Sequence, residues 1–91
     1  MAHIDVTRRH DLGLDGARHA AEEVVHELAD HMTLEAYWEG DTLVAQGPGF
    51  DGHFHAAPDS VRVTVRLGLM LRPLRRTIRS EIDDYLDRYT A

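Results

Sequence analysis

Between Phe50 and Tyr89 the spacing of apolar residues changes from every second position to every third or fourth. Phe50, Phe54 and Ala56 share one parity, as do Val61, Val63, Val65 and Leu67, with an Ala57-Pro58-Asp59-Ser60 turn between the two sets. After Pro73 the apolar positions are Leu74, Ile78, Ile82, Tyr85, Leu86 and Tyr89. Period two marks a half-buried strand, and a period near 3.6 marks an amphipathic helix. The pattern predicts an antiparallel hairpin covered by a C-terminal helix. Pairing Ala56 with Val61 sets His55 opposite Arg62, His53 opposite Thr64 and Asp51 opposite Arg66 on one face. The phenylalanines and valines collect on the other. A slip of one residue would turn that whole set to water, so the register is strongly held.

The first half of the chain follows the same rules. Ala2 to Val6 alternates, with Ile4 and Val6 on one side and His3 and Asp5 on the other, and the polar run from Thr7 to Gly13 ends this short strand. Leu14, Ala17, Ala21, Val24, Val25, Leu28 and Met32 form one stripe of a helix over Leu14 to Met32. Gly40-Asp41 suits a primed two-residue turn between Leu34–Glu39 and Thr42–Gln46, which sets Trp38 opposite Leu43 and Ala36 opposite Ala45. Gly47-Pro48-Gly49 makes the next loop. The predicted fold is α+β, an antiparallel sheet with two helices packed on one face, in the order β-α-β-β-β-β-α. The 91 residues make a single domain, 1–91. A core this thin gains from a second subunit, so a homodimer through a sheet edge or the Met70 lip is expected.

Composition removes several classes of function. The chain has no cysteine, hence no disulfide and no thiol nucleophile. No run approaches the roughly 18–20 apolar residues of a membrane-spanning segment, and Met-Ala-His-Ile-Asp does not read as a signal peptide. A cytoplasmic location is the default expectation. The net charge of -6 would repel a phosphate backbone, so nucleic acid is not an expected partner.

Seven histidines raise the question of metal. His53 and His55 share a strand face, and His3 could join them, but Arg62 and Arg66 on the same face would oppose a cation. A solvated sheet surface is the stronger reading. The same holds for His19, Glu22, Glu23, His26 and Asp30 on the outer side of the first helix. No catalytic set emerges. Glu22-Glu23 and Asp83-Asp84 are helical neighbours that diverge by about 100°. Ser60 and Ser80 lack the glycines of a nucleophile elbow, and Gly47-Pro48-Gly49 is no phosphate loop because Pro48 has no N–H. The expectation is a protein without enzymatic activity or cofactor.

Two oddities remain, side by side. Arg72, Arg75, Arg76 and Arg79 occupy the first turns of the last helix, where the helix dipole disfavours cations, while Glu81, Asp83, Asp84 and Asp87 crowd its second half. The arginines are therefore candidates for holding an anion, with pairing to nearby acids, such as Arg79 with Asp83, as the plainer explanation. Just before them, Leu67-Gly68-Leu69-Met70-Leu71 is apolar throughout. Leu69, Met70 and Leu71 are candidates for an apolar lip facing a hydrophobic ligand, a granule or a second subunit.

The chain also resembles a family. The residues that carry the resemblance are Ala2-His3-Ile4-Asp5-Val6, Leu12-Gly13-Leu14, Ala17-Arg18, Gly40-Asp41-Thr42-Leu43, Asp51-Gly52, the Val61-x-Val63-x-Val65-x-Leu67-Gly68 strand, Pro73-Leu74 and Glu81-Ile82. Together they look like the small bacterial polyhydroxyalkanoic acid system proteins. That resemblance implies association with polyhydroxyalkanoate storage, acting at or near the polyester granule, and brings no catalytic residues with it. It leads to the expectation of a non-enzymatic accessory protein that binds a granule surface or a pathway partner. The topology is also similar to a shortened helix-grip fold, which implies an alternative, a binder of an acyl thioester or hydroxyacid. In that alternative Arg72, Arg75, Arg76 or Arg79 holds the anion while Trp38, Phe54 and Met70 line the apolar part. A metal-binding protein using His3, His53 and His55 is the third expectation.

Overall fold

The computed structural model describes residues 2–90. Strands β1 (Ala2–Arg9), β2 (Glu35–Glu39), β3 (Thr42–Gly47), β4 (Phe50–Ala56) and β5 (Ser60–Leu67) form one antiparallel open sheet in the order β1-β5-β4-β3-β2. Helix α1 (Gly13–Ala29) follows β1, and a 3-10 turn at Arg72–Leu74 leads into α2 (Arg75–Thr90). The element order is the predicted one. Because β1 and β2 lie at opposite edges, α1 carries the chain across the sheet. Its 17 residues cover roughly 25 Å, enough for four inter-strand spacings of about 19 Å in total. The β2–β5 meander then brings the chain back beside β1.

Both hairpin registers follow the apolar pattern. Trp38 pairs with Leu43 and Ala36 with Ala45, while Ala56 pairs with Val61 and His55 with Arg62. Gly40 has φ +60°, and among the described residues no non-glycine has a positive φ, Asp41 included. A positive φ at the first loop residue alone is the type II′ turn, whose twist matches that of the flanking strands.

Across the buried face, Val6, Val63, Phe54, Leu43 and Trp38 stand in one row of cross-strand partners. Phe54 and Val63 are completely buried. Ala17, Ala21, Val24 and Leu28 of α1 and Ile78, Ile82 and Leu86 of α2 belong to the same core. Gly52 lies between the two phenylalanines of β4. A Cβ there would stand 2.9 Å from Phe50 Cε1 and 3.2 Å from Phe54 Cε1, so the missing side chain is the space into which both rings fold.

The structure corrects the sequence reading in three places. The first strand does not stop at Val6; it runs to Arg9, because Ser60, Val61 and Arg62 give Arg9, Arg8 and Thr7 partners. Helix α1 ends at Ala29, short of Met32, and the His31 and Met32 N–H groups both donate to Leu28 O at 3.0 and 3.2 Å. Met32 nevertheless packs against the core. The outer sheet face is also not uniformly wet. Val44 is only 2% exposed there, flanked in register by Tyr37 and His53, whose larger side chains can shield it.

Phe54→Ala is expected to lower stability by about 3–5 kcal/mol, because it empties the centre of the core. Gly52→Ala should cost about 1–3 kcal/mol by overpacking the two rings. Urea unfolding of the two variants against the parent measures both, and a neutral Gly52→Ala would contradict the packing described.

Candidate functional site

The chain leaves β5 at Gly68 and turns sharply before α2. The turn is closed by its own backbone. Gly68 N–H donates to Gly49 O at 2.9 Å, the Leu71 and Arg72 N–H groups donate to Gly68 O at 3.1 and 3.0 Å, and Leu74 N–H donates to Leu71 O at 2.9 Å. Leu71 is half-buried and packs against the core, close to Gly49, where an added Cβ would meet Leu71 Cγ at 3.4 Å. With Leu71 turned inward, Leu69 and Met70 are turned out. They are 80% and 86% exposed, and Leu74, on the 3-10 turn that follows, is 48% exposed. Of the three residues expected as a lip, Leu69 and Met70 are exposed, and Leu74, which is not among them, is exposed as well. Leu71, half-buried against the core, anchors the turn.

The arginines beside this apex differ from those elsewhere. Arg62 binds Asp5, with Nε and Nη2 donating at 3.1 and 2.8 Å. Arg18 donates to Asp41 Oδ1 and Gly40 O, both at 2.9 Å. Arg9 pairs with Asp59 and Arg88 with Glu27, each at 3.5 Å. Arg8 reaches from β1 to α2, where it donates to Asp83 at 2.9 Å and Asp87 at 3.0 Å. Arg79 approaches Asp83 only to 3.9 Å, so the expected i,i+4 pair exists but Arg8 is the closer partner. Among the described residues Arg72 and Arg76 have no hydrogen bond or ion pair, and Arg75 donates only to a backbone carbonyl, that of His3, at 2.9 Å. The stretch 67–80 contains four of the ten arginines and none of the sixteen acids. Three cations therefore stand in water, without carboxylate partners, beside an exposed apolar apex.

The other candidates are dispersed. Phe54 is sealed in the core, Met70 stands in solvent, and Trp38 lines a groove of about 320 Å³ between α1 and β2, with Val25, Ala29, Leu34 and Leu43. None of Arg72, Arg75, Arg76 or Arg79 lines that groove. Trp38 is held in place by the Arg18 guanidinium 4.0 Å above its ring and by its own Nε1–H, which donates to Glu22 at 3.2 Å. This clamp joins the β2–β3 hairpin to α1, and sequence spacing had no signal for it. His53 and His55 stack with ring centroids 6.1 Å apart. His3 lies on β1, opposite Arg66 and beyond β5 from both of them. Among the described residues no three His, Asp or Glu side chains are grouped so as to hold a metal ion. Among the described residues no helix is long and apolar enough to cross a membrane.

A family model described as "Putative polyhydroxyalkanoic acid system protein" matches residues 4–89. The chain belongs to this family. No curated protein and no solved structure gives a significant match. The family description refers to a metabolic system and not to a reaction, so within the family the chain's own surface is what bears on how it acts. That surface offers one exposed apolar apex with unpaired arginines.

His10 was not singled out by its sequence context. It is buried, and its Nδ1 accepts the Leu12 N–H at 3.0 Å just ahead of α1. The bond satisfies the N–H of the N-cap residue Leu12, whose own side chain makes no capping bond.

Two groups on the outer face set an expected pH dependence. Burial pushes the His55 imidazole below its ordinary 6.5, His53 and Arg62 add repulsion, and Asp5 opposes them. The Arg62 hydrogen bond holds the Asp5 carboxyl below its ordinary 3.8 against a smaller effect of burial. Both folded-state values are depressed, so each contribution is present above the unfolded value and is lost as pH falls through the folded one. His55 acts below pH 6.5, and Asp5 acts below pH 3.8. In urea unfolding across this range, His55→Gln should flatten the first decline and Asp5→Asn the second. Parallel curves for parent and variants would refute the assignment.

Proposed function

We propose that this protein is a non-enzymatic accessory factor of polyhydroxyalkanoate storage that acts by binding the storage-granule surface through the Leu69–Met70 apex. Membership of the polyhydroxyalkanoic acid system family supplies the metabolic context. The observation that carries the binding reading is the exposure of Leu69 and Met70, 80% and 86%, on a turn whose ends at Gly68 and Leu71–Arg72 are fixed by backbone hydrogen bonds. Large apolar side chains held out by a closed turn offer surface for burial against an apolar phase, at about 25 cal/mol per Å² removed from water. The same surface would also serve a pathway protein with a matching apolar patch.

Co-sedimentation with purified polyester granules tests this. The parent protein is expected to pellet, and the double variant Leu69→Ser/Met70→Ser is expected to stay in the supernatant. Because both side chains already face water, the variant should keep the parent's unfolding midpoint, with stability changes within about 0.5 kcal/mol. A parent that stays soluble while a granule coat protein pellets, or a double variant that pellets as well as the parent, would rule out the apex as the granule contact.

A further inference from the structure

We infer, building on the granule-surface reading above, that the apex is a docking device for an anionic lipid surface: Leu69 and Met70 enter the apolar layer while Arg72, Arg75 and Arg76 engage negatively charged headgroups. Three observations fit this occupant. The first is charge. In a chain of net charge -6, the stretch 67–80 has four arginines and no acid. Arg72 and Arg76 have no partner among the described residues, and Arg75 gives only one hydrogen bond, to a carbonyl. Elsewhere Arg8, Arg9, Arg18, Arg62 and Arg88 are each paired with a carboxylate, so the chain does not leave arginines unpaired as a rule.

The second is the order of the groups. The apolar side chains sit on the turn itself, and the arginines follow on the 3-10 turn (Arg72) and at the start of α2 (Arg75 and Arg76). Interfacial anchors likewise combine apolar side chains that enter the acyl layer with cations that stop at its polar boundary. The acids of α2 begin only at Glu81, and Asp83 and Asp87 are already taken by Arg8. Repulsion from the rest of the acidic surface then favours approach with the apex first.

The third is the backbone. A turn fixed at both ends presents its outer side chains with little ordering cost on binding. Here Gly68, Leu71, Arg72 and Leu74 donate to carbonyls of the same turn or of Gly49, and Leu71 fixes the turn to the core.

Flotation with lipid vesicles decides the matter. Vesicles of phosphatidylcholine alone are compared with an equal mixture of phosphatidylcholine and phosphatidylglycerol. The protein is expected on the mixed vesicles and not on the neutral ones. Each arginine near an anionic surface contributes about fivefold in affinity, so Arg72→Gln/Arg75→Gln/Arg76→Gln should lose about 100-fold. Raising salt from 0.1 to 1 M shortens the screening length from about 10 to about 3 Å and should release the protein. Insertion has its own readout. Met70 should be oxidised by peroxide readily in solution and slowly on mixed vesicles, as read by mass spectrometry. Equal binding to both vesicle types, or unchanged Met70 oxidation on bound vesicles, would overturn the inference. Granule binding without any vesicle binding overturns it while sparing the granule reading, and absence of both removes the two together.

Discussion

Exclusion of water from one face of a narrow sheet is the constraint on which the other features depend. Phe54 stands mid-row between Val63 and Leu43, and every strand that contributes to that row must keep its parity. Because β1 and β2 occupy opposite edges, α1 has to cross the sheet to link them. Helix α2 completes the cover on the β1 side, packing against both α1 and β1. A sheet sealed this way has little interior to spare, and Gly52 shows how tight it is, with two phenylalanine rings using the space of one missing side chain.

The apex follows from how that seal is closed. Strand β5 ends at Leu67, in the core, and the chain must then reverse to send α2 back over the sheet. Leu71 takes the inward position beside Gly49, and the two residues between Gly68 and Leu71 are left facing water. Their exposure is therefore a product of the connection, while their identity as Leu and Met is not required by it. Small polar residues would satisfy the same turn, and a chain that keeps large apolar ones there tolerates an exposure that packing does not explain.

Charge along α2 tells a related story. Arginines at its start and carboxylates at its end both run against the helix dipole. The end is compensated from outside the helix, since Arg8 on β1 bonds Asp83 and Asp87. The start has no such compensation for Arg72 and Arg76 among the described residues. The two halves of one helix thus differ in kind. At the end the charges are neutralised by an arginine of the sheet, whereas at the start no carboxylate faces Arg72, Arg75 or Arg76 among the described residues.

Local pattern alone determined the strands from Phe50 to Leu67, the Gly40-Asp41 turn, both hairpin registers and the amphipathic helices, because alternation and turn chemistry act between residues near in sequence. The same spacing pointed to the arginine stripe and the apolar run. It could not separate Leu71 from Leu69 and Met70, since all three belong to one unbroken apolar stretch and only packing beside Gly49 distinguishes them. Nor did it show that β1 would lengthen to Arg9, that Arg8 would meet α2, or that Arg18 would lie over Trp38. Those contacts join residues 20 to 79 positions apart, and no local propensity encodes which distant partner a side chain will meet. Tertiary structure decided which cations are neutralised and which remain free, because that depends on where the fold brings the carboxylates.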